Sequence, residues 1–177
     1  MDPVFSETLR IALVLLFASA AIHKIRHRTA FRSALAQYQI LPEALVVPAA
    51  CGLVLAETIS AGLLVNPATS LVGALCAGSI LFVYTAAIAF NLARGRRDID
   101  CGCGGVLGPK QLGTSLLWRN GLLLLACAFL TLPESLRPLL WLDRFTIGAA
   151  VATLALAGHA ASLLADSRQH SIQQRIS

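Results

Sequence analysis

The chain has 177 residues, of which 56% are hydrophobic and 13% are charged, with a formal net charge of +5 and a mean hydropathy of +0.73. A soluble domain carries charge on about a quarter of its residues, so this composition excludes an ordinary water-soluble protein. The basic residues lie in short segments between apolar runs and form no stripe of the kind that binds nucleic acid. We therefore expect one integral membrane domain over residues 1–177 that contacts membrane lipid and binds no nucleic acid.

Five apolar segments predict an all-α, polytopic membrane helical bundle of about five transmembrane helices. The first segment lacks the basic start of a signal peptide, because Asp2 and Glu7 offset Arg10, and we interpret it as a retained helix. A short amphipathic helix around Phe31 and Tyr38 follows it and is expected to lie in the membrane interface. The predicted transmembrane helices cover residues 8–22, 44–65, 69–91, 115–132 and 145–164.

The loop predicted at residues 92–114 contains the sequence Cys101-Gly102-Cys103. A disulfide that spans a single intervening residue closes a small ring, and its constrained geometry favours easy reduction. Basic residues on both sides of the loop favour the thiolate that disulfide exchange requires. The same pair of thiols is also compatible with a soft-metal site, although a zinc site needs about four ligands. The remaining cysteines lie inside apolar runs and are interpreted as small hydrophobic residues: Cys51, Cys76 and Cys127.

Glu57 lies near the middle of the second predicted helix, where an ionisable group is costly. It is interpreted either as an acid beside a cofactor or as the partner of Arg119 in a structural ion pair. Arg119 is expected inside the bundle, with Asn120 next to it. His23 is a candidate proton relay or a solvated residue, whereas Lys24 is expected to anchor the helix at the interface. Tyr84 either lines a pocket for a ring-shaped ligand or packs in the core.

The run from Asn91 through Asp98-Ile-Asp-Cys-Gly-Cys-Gly-Gly, followed by Trp118-Arg119-Asn120, resembles the MauE family of methylamine utilisation proteins and its DoxX-like relatives. The resemblance implies a helical membrane protein that supports disulfide formation in a secreted client such as the methylamine dehydrogenase β subunit. It also implies a thioredoxin-like, MauD-like partner.

Taken with the cysteine pair, the resemblance predicts a thiol–disulfide oxidoreductase whose catalytic residues are Cys101 and Cys103, with no resident metal. By analogy of role with DsbB and vitamin K epoxide reductase, the electrons pass to a quinone, ubiquinone or menaquinone. Two alternatives remain open: a soft-metal-binding transporter and a non-catalytic membrane assembly factor. The predicted cofactor-binding residues are Glu57, His23, Arg119, Asn120 and Tyr84.

Two arguments give opposite predictions for the side of the membrane on which the cysteine loop lies. The basic loops follow the first and third helices, so the positive-inside rule assigns the cysteine loop to the cytoplasm. The role implied by the resemblance requires the extracytoplasmic face of the inner membrane, and we prefer that face.

Overall fold

The computed structural model describes the backbone of residues 2–96, 113–133 and 138–176, and the side chains of these residues apart from 159 and 161–176. Every regular element in these ranges is helical, which confirms the predicted all-α class. Among the described residues, three helices are long and apolar enough to cross a membrane, and a fourth, shorter helix is also apolar. The chain is therefore a multi-pass membrane protein. The elements are α1 (Pro3–Arg26), α2 (Arg28–Gln37), α3 (Glu43–Val65), α4 (Ser70–Ala93), α5 (Thr114–Phe129) and α6 (Trp141–Ile176).

α1 begins five residues before the predicted start, and the reason is a local capping signal. The Asp2 side chain accepts a hydrogen bond from the backbone N–H of Val4 at 2.8 Å, and Pro3 occupies the first helical turn. This combination of an N-cap acid and an N-terminal proline starts a helix efficiently. The prediction began at the apolar run instead, and it also ended α1 four residues early.

The other helices match their predicted positions with shifts at the ends. α3 and α4 begin and end within two residues of the prediction, and the amphipathic segment forms α2. α5 ends at Phe129 rather than at residue 132, while α6 extends well beyond the predicted 145–164 on both sides. Asp143 in the first turn of α6 accepts a hydrogen bond from the backbone N–H of Leu140, which explains its earlier start.

The core lies where four helices meet. α1 packs against α3, α3 against α4, and α4 against α5, while α6 packs on α1 and α2 on α3. Phe5 of α1 and Phe129 of α5 meet edge to face with ring centroids 6.1 Å apart. The buried apolar residues of this core are Leu13, Phe17, Ala61, Leu64, Ala74, Ala77, Ile80, Leu81 and Cys127.

One glycine allows α3 and α4 to approach closely beside the turn that joins them. A Cβ atom on Gly73 would lie 2.8 Å from the backbone nitrogen of Leu64, closer than real atoms approach. Small residues at such positions are the usual means of close helix packing in membranes. The tight hairpin aligns the two helices that carry Glu57 and Tyr84.

Helix direction defines two ends of the bundle. Arg10, early in α1, donates a hydrogen bond to the carbonyl of Val65 at the end of α3, so these helices run antiparallel. At the opposite end α1 ends, α3 begins, α4 ends and α5 begins. Residues 97–112 join α4 to α5 at this end, which we call the cysteine end because Cys101 and Cys103 belong to that connection. Tyr38, Ile88 and Leu116 form a second small core there.

Candidate functional site: a buried polar network beside a membrane cavity

α1 contributes a lysine to the interior of the bundle. The residues of this helix that face the core follow helical spacing, and they include Leu13, Phe17, Ala21 and Lys24. Lys24 is 2% exposed. The prediction that Lys24 anchors the helix at the interface is therefore wrong, because its position on the core-facing stripe directs the side chain inward.

Lys24 meets an acid and a phenol from two other helices. Its Nζ atom donates a hydrogen bond to Glu57 Oε1 of α3, and a second one to the Tyr84 hydroxyl of α4 at 3.0 Å. The Tyr84 hydroxyl in turn donates to Glu57 Oε1 at 2.7 Å. Three helices are thus joined by one closed set of polar contacts, which we call the Lys–Glu–Tyr network.

Aromatic rings complete the surroundings of the lysine. Its Nζ lies 5.1 Å from the centroid of the Phe31 ring and 4.9 Å from that of Tyr84. A cation at this distance from a ring is attracted by its π electrons, and the attraction strengthens when water is excluded. Phe31 belongs to α2, so the network also contacts the amphipathic helix at the cysteine end.

One of the two interpretations of Glu57 was an ion pair with Arg119, and the structure does not show this pair. The carboxylate binds Lys24 instead, and Arg119 lies close enough to Lys24 for the two cations to interact electrostatically. Arg119 donates a weak hydrogen bond to Asn120 Oδ1 at 3.4 Å. Asn120 itself is fully buried. These two residues bring α5 to the edge of the network.

Several buried polar atoms of the bundle, one of them in the network, have no hydrogen-bond partner within the described part of the chain. Such atoms are rare in folded proteins, and each one calls for a ligand, an ion or water. They occur on α3, α4 and α5 and on the segment after α4, mostly towards the cysteine end. The atoms are Glu57 Oε2, Ser60 Oγ, Asn91 Oδ1, Arg96 Nη1, Arg119 Nε and Asn120 Nδ2.

The predicted site residues thus separate into four groups. Glu57 and Tyr84 are in direct contact, and Arg119 and Asn120 lie on the neighbouring helix. His23 contacts instead the ring of His27, one turn further along, with ring centroids 4.7 Å apart and the ring planes tilted by 41°. It makes no hydrogen bond to the network among the described residues. Cys101 and Cys103 lie outside the described residues.

A cavity of about 400 Å³ adjoins the network between α2, α3 and α4. Apart from two phenols its walls are apolar. Those phenols are Tyr38, at the C-terminal end of α2, and Tyr84 of the network. Burial raises the pKa of Tyr38 to about 12, so its hydroxyl stays protonated at physiological pH. The residues that line the cavity are Phe31, Leu35, Tyr38, Ile40, Leu41, Ala49, Gly52, Leu53, Val83, Tyr84, Ala87 and Ile88.

Sequence reasoning missed three members of this region. Lys24 was assigned to the interface, Tyr38 to an amphipathic helix in the interface, and Asn91 received no role. A helical-spacing signal was present for all three. Lys24 continues the stripe of Phe17 and Ala21, Asn91 lies two turns after Tyr84, and Tyr38 lies two turns after Phe31.

Comparison with known proteins identifies the family. The family model described as "Methylamine utilisation protein MauE" matches residues 2–133. The methylamine utilization protein MauE of Paracoccus denitrificans is 37% identical over 134 residues, which cover 72% of this chain and 68% of that protein. MauE of Methylorubrum extorquens is 38% identical over 125 residues, covering 71% of this chain and 67% of its own length. No solved structure matches the chain. On this evidence the chain belongs to the MauE family of methylamine utilisation proteins.

Proposed function

We propose that this chain is a membrane thiol–disulfide oxidoreductase that oxidises a thioredoxin-like partner through Cys101 and Cys103. The observation that carries the proposal is the Cys-Gly-Cys sequence in the connection between two membrane helices, α4 and α5. A disulfide between two cysteines so close in sequence exchanges readily with the dithiol of a partner. Membership of the MauE family supports a role in methylamine utilisation. The client is then a secreted protein of that system, such as the methylamine dehydrogenase β subunit.

The exchange conserves atoms and electrons. A thiolate of the partner attacks one sulfur of the Cys101–Cys103 disulfide, and a mixed disulfide forms while the other sulfur leaves as a thiolate. The second thiol of the partner then displaces the bound sulfur. The partner ends as a disulfide, and Cys101 and Cys103 end as a dithiol that holds the two electrons.

A lipid-soluble quinone is the proposed electron acceptor, because it takes up two electrons and two protons, the number that the dithiol loses when its S–S bond forms again. The chain's own residues near the cysteine end are suited to hold protons and charge during this step. Lys24 and Tyr84 carry exchangeable protons inside the bundle, and Arg119 and Asn120 lie in the second turn of α5, where Arg119 interacts electrostatically with Lys24. His23 faces His27, so we assign it no contact with the acceptor.

The burial of Lys24 bears on the orientation of the chain. The positive-inside rule counts basic residues in loops near the membrane, whereas Lys24 is buried in the bundle and makes an ion pair. Arg96 also has a buried guanidinium nitrogen. With these residues removed from the count, the cytoplasmic assignment of the cysteine end weakens. We propose that this end faces the extracytoplasmic side of the inner membrane, where the client folds.

Two other functions make different predictions. A soft-metal transporter needs a route for cations, yet Lys24 and Arg119 place two positive charges against one carboxylate in the described interior, which repels cations. A non-catalytic assembly factor needs no reactive thiols.

The test is to mix the purified, oxidised protein with a reduced thioredoxin-like protein under argon and to measure the partner's thiols. We expect one partner disulfide for each chain. Cys101→Ser and Cys103→Ser should each abolish this exchange, while Cys51→Ser, a change at an exposed helix cysteine, should leave it intact. Full activity of the Cys101→Ser/Cys103→Ser double variant in supporting client maturation would contradict the proposal and favour an assembly factor.

A further inference from the structure

We infer that the cavity between α2, α3 and α4 is the site that binds the ring of a lipid-soluble quinone. This inference rests on the proposed function for the identity of the ligand, but the site itself is argued from the structure. Its volume of about 400 Å³ lies within the range of small-molecule sites, which are mostly apolar with a few polar groups in fixed positions.

The walls of the cavity select an amphipathic ring. Ten of the twelve lining residues are apolar or glycine, and the two others are Tyr38 and Tyr84. A flat ring matches this lining, because the aromatic faces of the cavity pack on a flat molecule. The Tyr84 hydroxyl already donates its one proton to Glu57 Oε1, so Tyr84 offers the cavity its ring face. A sugar or a charged metabolite would leave most of its polar groups without partners.

Entry takes place from the side of the bundle. Ile40 and Leu41, at the turn between α2 and α3, line the cavity and are partly exposed, and Val83 of α4 is 55% exposed. In a membrane such apolar residues face lipid. A ligand with an apolar tail therefore enters from the bilayer and leaves its tail among the acyl chains.

The Lys–Glu–Tyr network holds one wall of the cavity, the ring of Tyr84, in place. The hydroxyl of Tyr84 is held by both Lys24 and Glu57, which fixes the position of the ring that the cavity presents. Leu53 lines the cavity one helical turn before Glu57, so the buried carboxylate follows directly on the same face of α3. Glu57 Oε2 is buried and has no partner in the described part of the chain. It is therefore suited to accept a proton or a hydrogen bond from a hydroxyl group of a ligand in the neighbouring cavity.

The chain offers a matched pair of positions for the test. A Cβ atom added at Gly52 or at Gly62 meets no heavy atom within 4 Å, and both glycines lie on exposed positions of α3. Only Gly52 lines the cavity. Leu is a better helix former than glycine, so neither substitution should weaken the helix. Gly52→Leu fills the proposed site, while Gly62→Leu is the control.

The probe is a ubiquinone analogue with a photoreactive azido group on its ring and a short saturated tail, added to the full chain in lipid nanodiscs. After illumination, mass spectrometry of peptides locates the label. We expect label on residues of α2, α3 or α4 that line the cavity, displaced by excess decylubiquinone. Labelling should fall roughly tenfold in Gly52→Leu, because overpacking of an apolar site carries a penalty of this order. It should stay unchanged in Gly62→Leu, with equal thermal stability of both variants as the check on folding.

Each other outcome counts against the site. A second apolar groove lies between α4 and α5, lined by Phe82, Leu124 and Cys127 among others. Label on α5, equal labelling of Gly52→Leu and Gly62→Leu, or label that decylubiquinone does not displace would overturn the cavity assignment.

Exchange with the thioredoxin-like partner needs no quinone, so it is measured on the same preparations. Intact exchange without cavity labelling overturns the cavity alone, whereas specific labelling without exchange overturns the proposed function alone.

Discussion

Lys24 of α1 and Glu57 of α3 form an ion pair in the interior of the bundle, where both residues are at least 98% buried. Charges in such an environment lose most of their hydration, and only a close partner with further hydrogen bonds offsets that loss. Tyr84 provides the further bonds, since it contacts both partners. The pair is therefore the polar centre that connects three membrane helices.

Removal of one partner should destabilise the fold more than removal of both. Lys24→Met leaves a carboxylate without its cation in the apolar interior, and we expect a loss of about 3 kcal/mol or more in the free energy of unfolding. The double variant Lys24→Met/Glu57→Gln should lose less than Lys24→Met alone, and therefore much less than the sum of the two single variants. Reversible unfolding of the detergent-solubilised protein measures all three.

The control for this cycle is the pair of Glu7 and Arg10 at the opposite end of the bundle. Their side chains are 23% and 14% exposed and lie one turn apart on α1. Glu7→Gln should change the free energy of unfolding by less than about 1 kcal/mol, as for other partly exposed pairs. Additive effects of Lys24→Met and Glu57→Gln would show that the two residues do not act as a pair.

Tyr84→Phe should separate binding from turnover. The substitution keeps the ring that lines the cavity but removes the hydroxyl that Lys24 and Glu57 hold. We expect unchanged photolabelling, and quinone-dependent reoxidation of the dithiol at least about tenfold slower, because a positioned proton donor is lost. The rate is followed by free-thiol titration over time. An unaltered rate would remove Tyr84 from proton transfer and leave it a purely structural role.

Gly73 and Gly78 on α4 should respond differently to the same change. A Cβ atom at Gly73 would collide with the backbone of α3 at Leu64, whereas at Gly78 it would make an ordinary contact of 3.6 Å with Cys127. Gly73→Ala should therefore cost about 1–3 kcal/mol as the hairpin opens, and Gly78→Ala should be neutral or stabilising. Equal stability of the two variants in thermal unfolding would contradict the close approach of α3 and α4.

Because the phenol of Tyr38 is buried, we predict that the protein loses stability at alkaline pH. Burial raises its pKa from 10.0 to about 12, so the folded state holds the phenol proton more tightly than the unfolded state. The stability that this provides is complete below pH 10 and is lost as the pH rises from about 10 to 12. Thermal unfolding between pH 9 and pH 12 should show a smaller decline for Tyr38→Phe than for the unmodified chain. Parallel declines would show that Tyr38 is solvated.

The class of fold followed from the sequence because apolar length alone predicts membrane helices. The bounds of α1 did not, since the prediction weighed hydropathy and ignored the capping signal of Asp2 and Pro3. Glu57 was recognised because a charged residue in the middle of an apolar run needs an explanation. Its partner was missed because Lys24 lies near a helix end, where lysines usually reach the interface.

The cavity was beyond sequence reasoning for a different reason. Its walls come from α2, α3 and α4, and the residues that form them look like ordinary membrane-facing or interfacial side chains. Only the packing of α2 against α3 brings Tyr38 into the same space as Tyr84. Hydropathy and local spacing contain no information about such contacts between helices.

The most direct measurement concerns electron flow through the cysteine pair. The protein is reduced under argon and freed of reductant, decylubiquinone is added, and free thiols are titrated over time. The account predicts the rapid loss of two thiols per chain with formation of one quinol, and no loss in the Cys101→Ser/Cys103→Ser variant. A dithiol that stays reduced in the presence of quinone, or equal thiol loss in that variant, would contradict it.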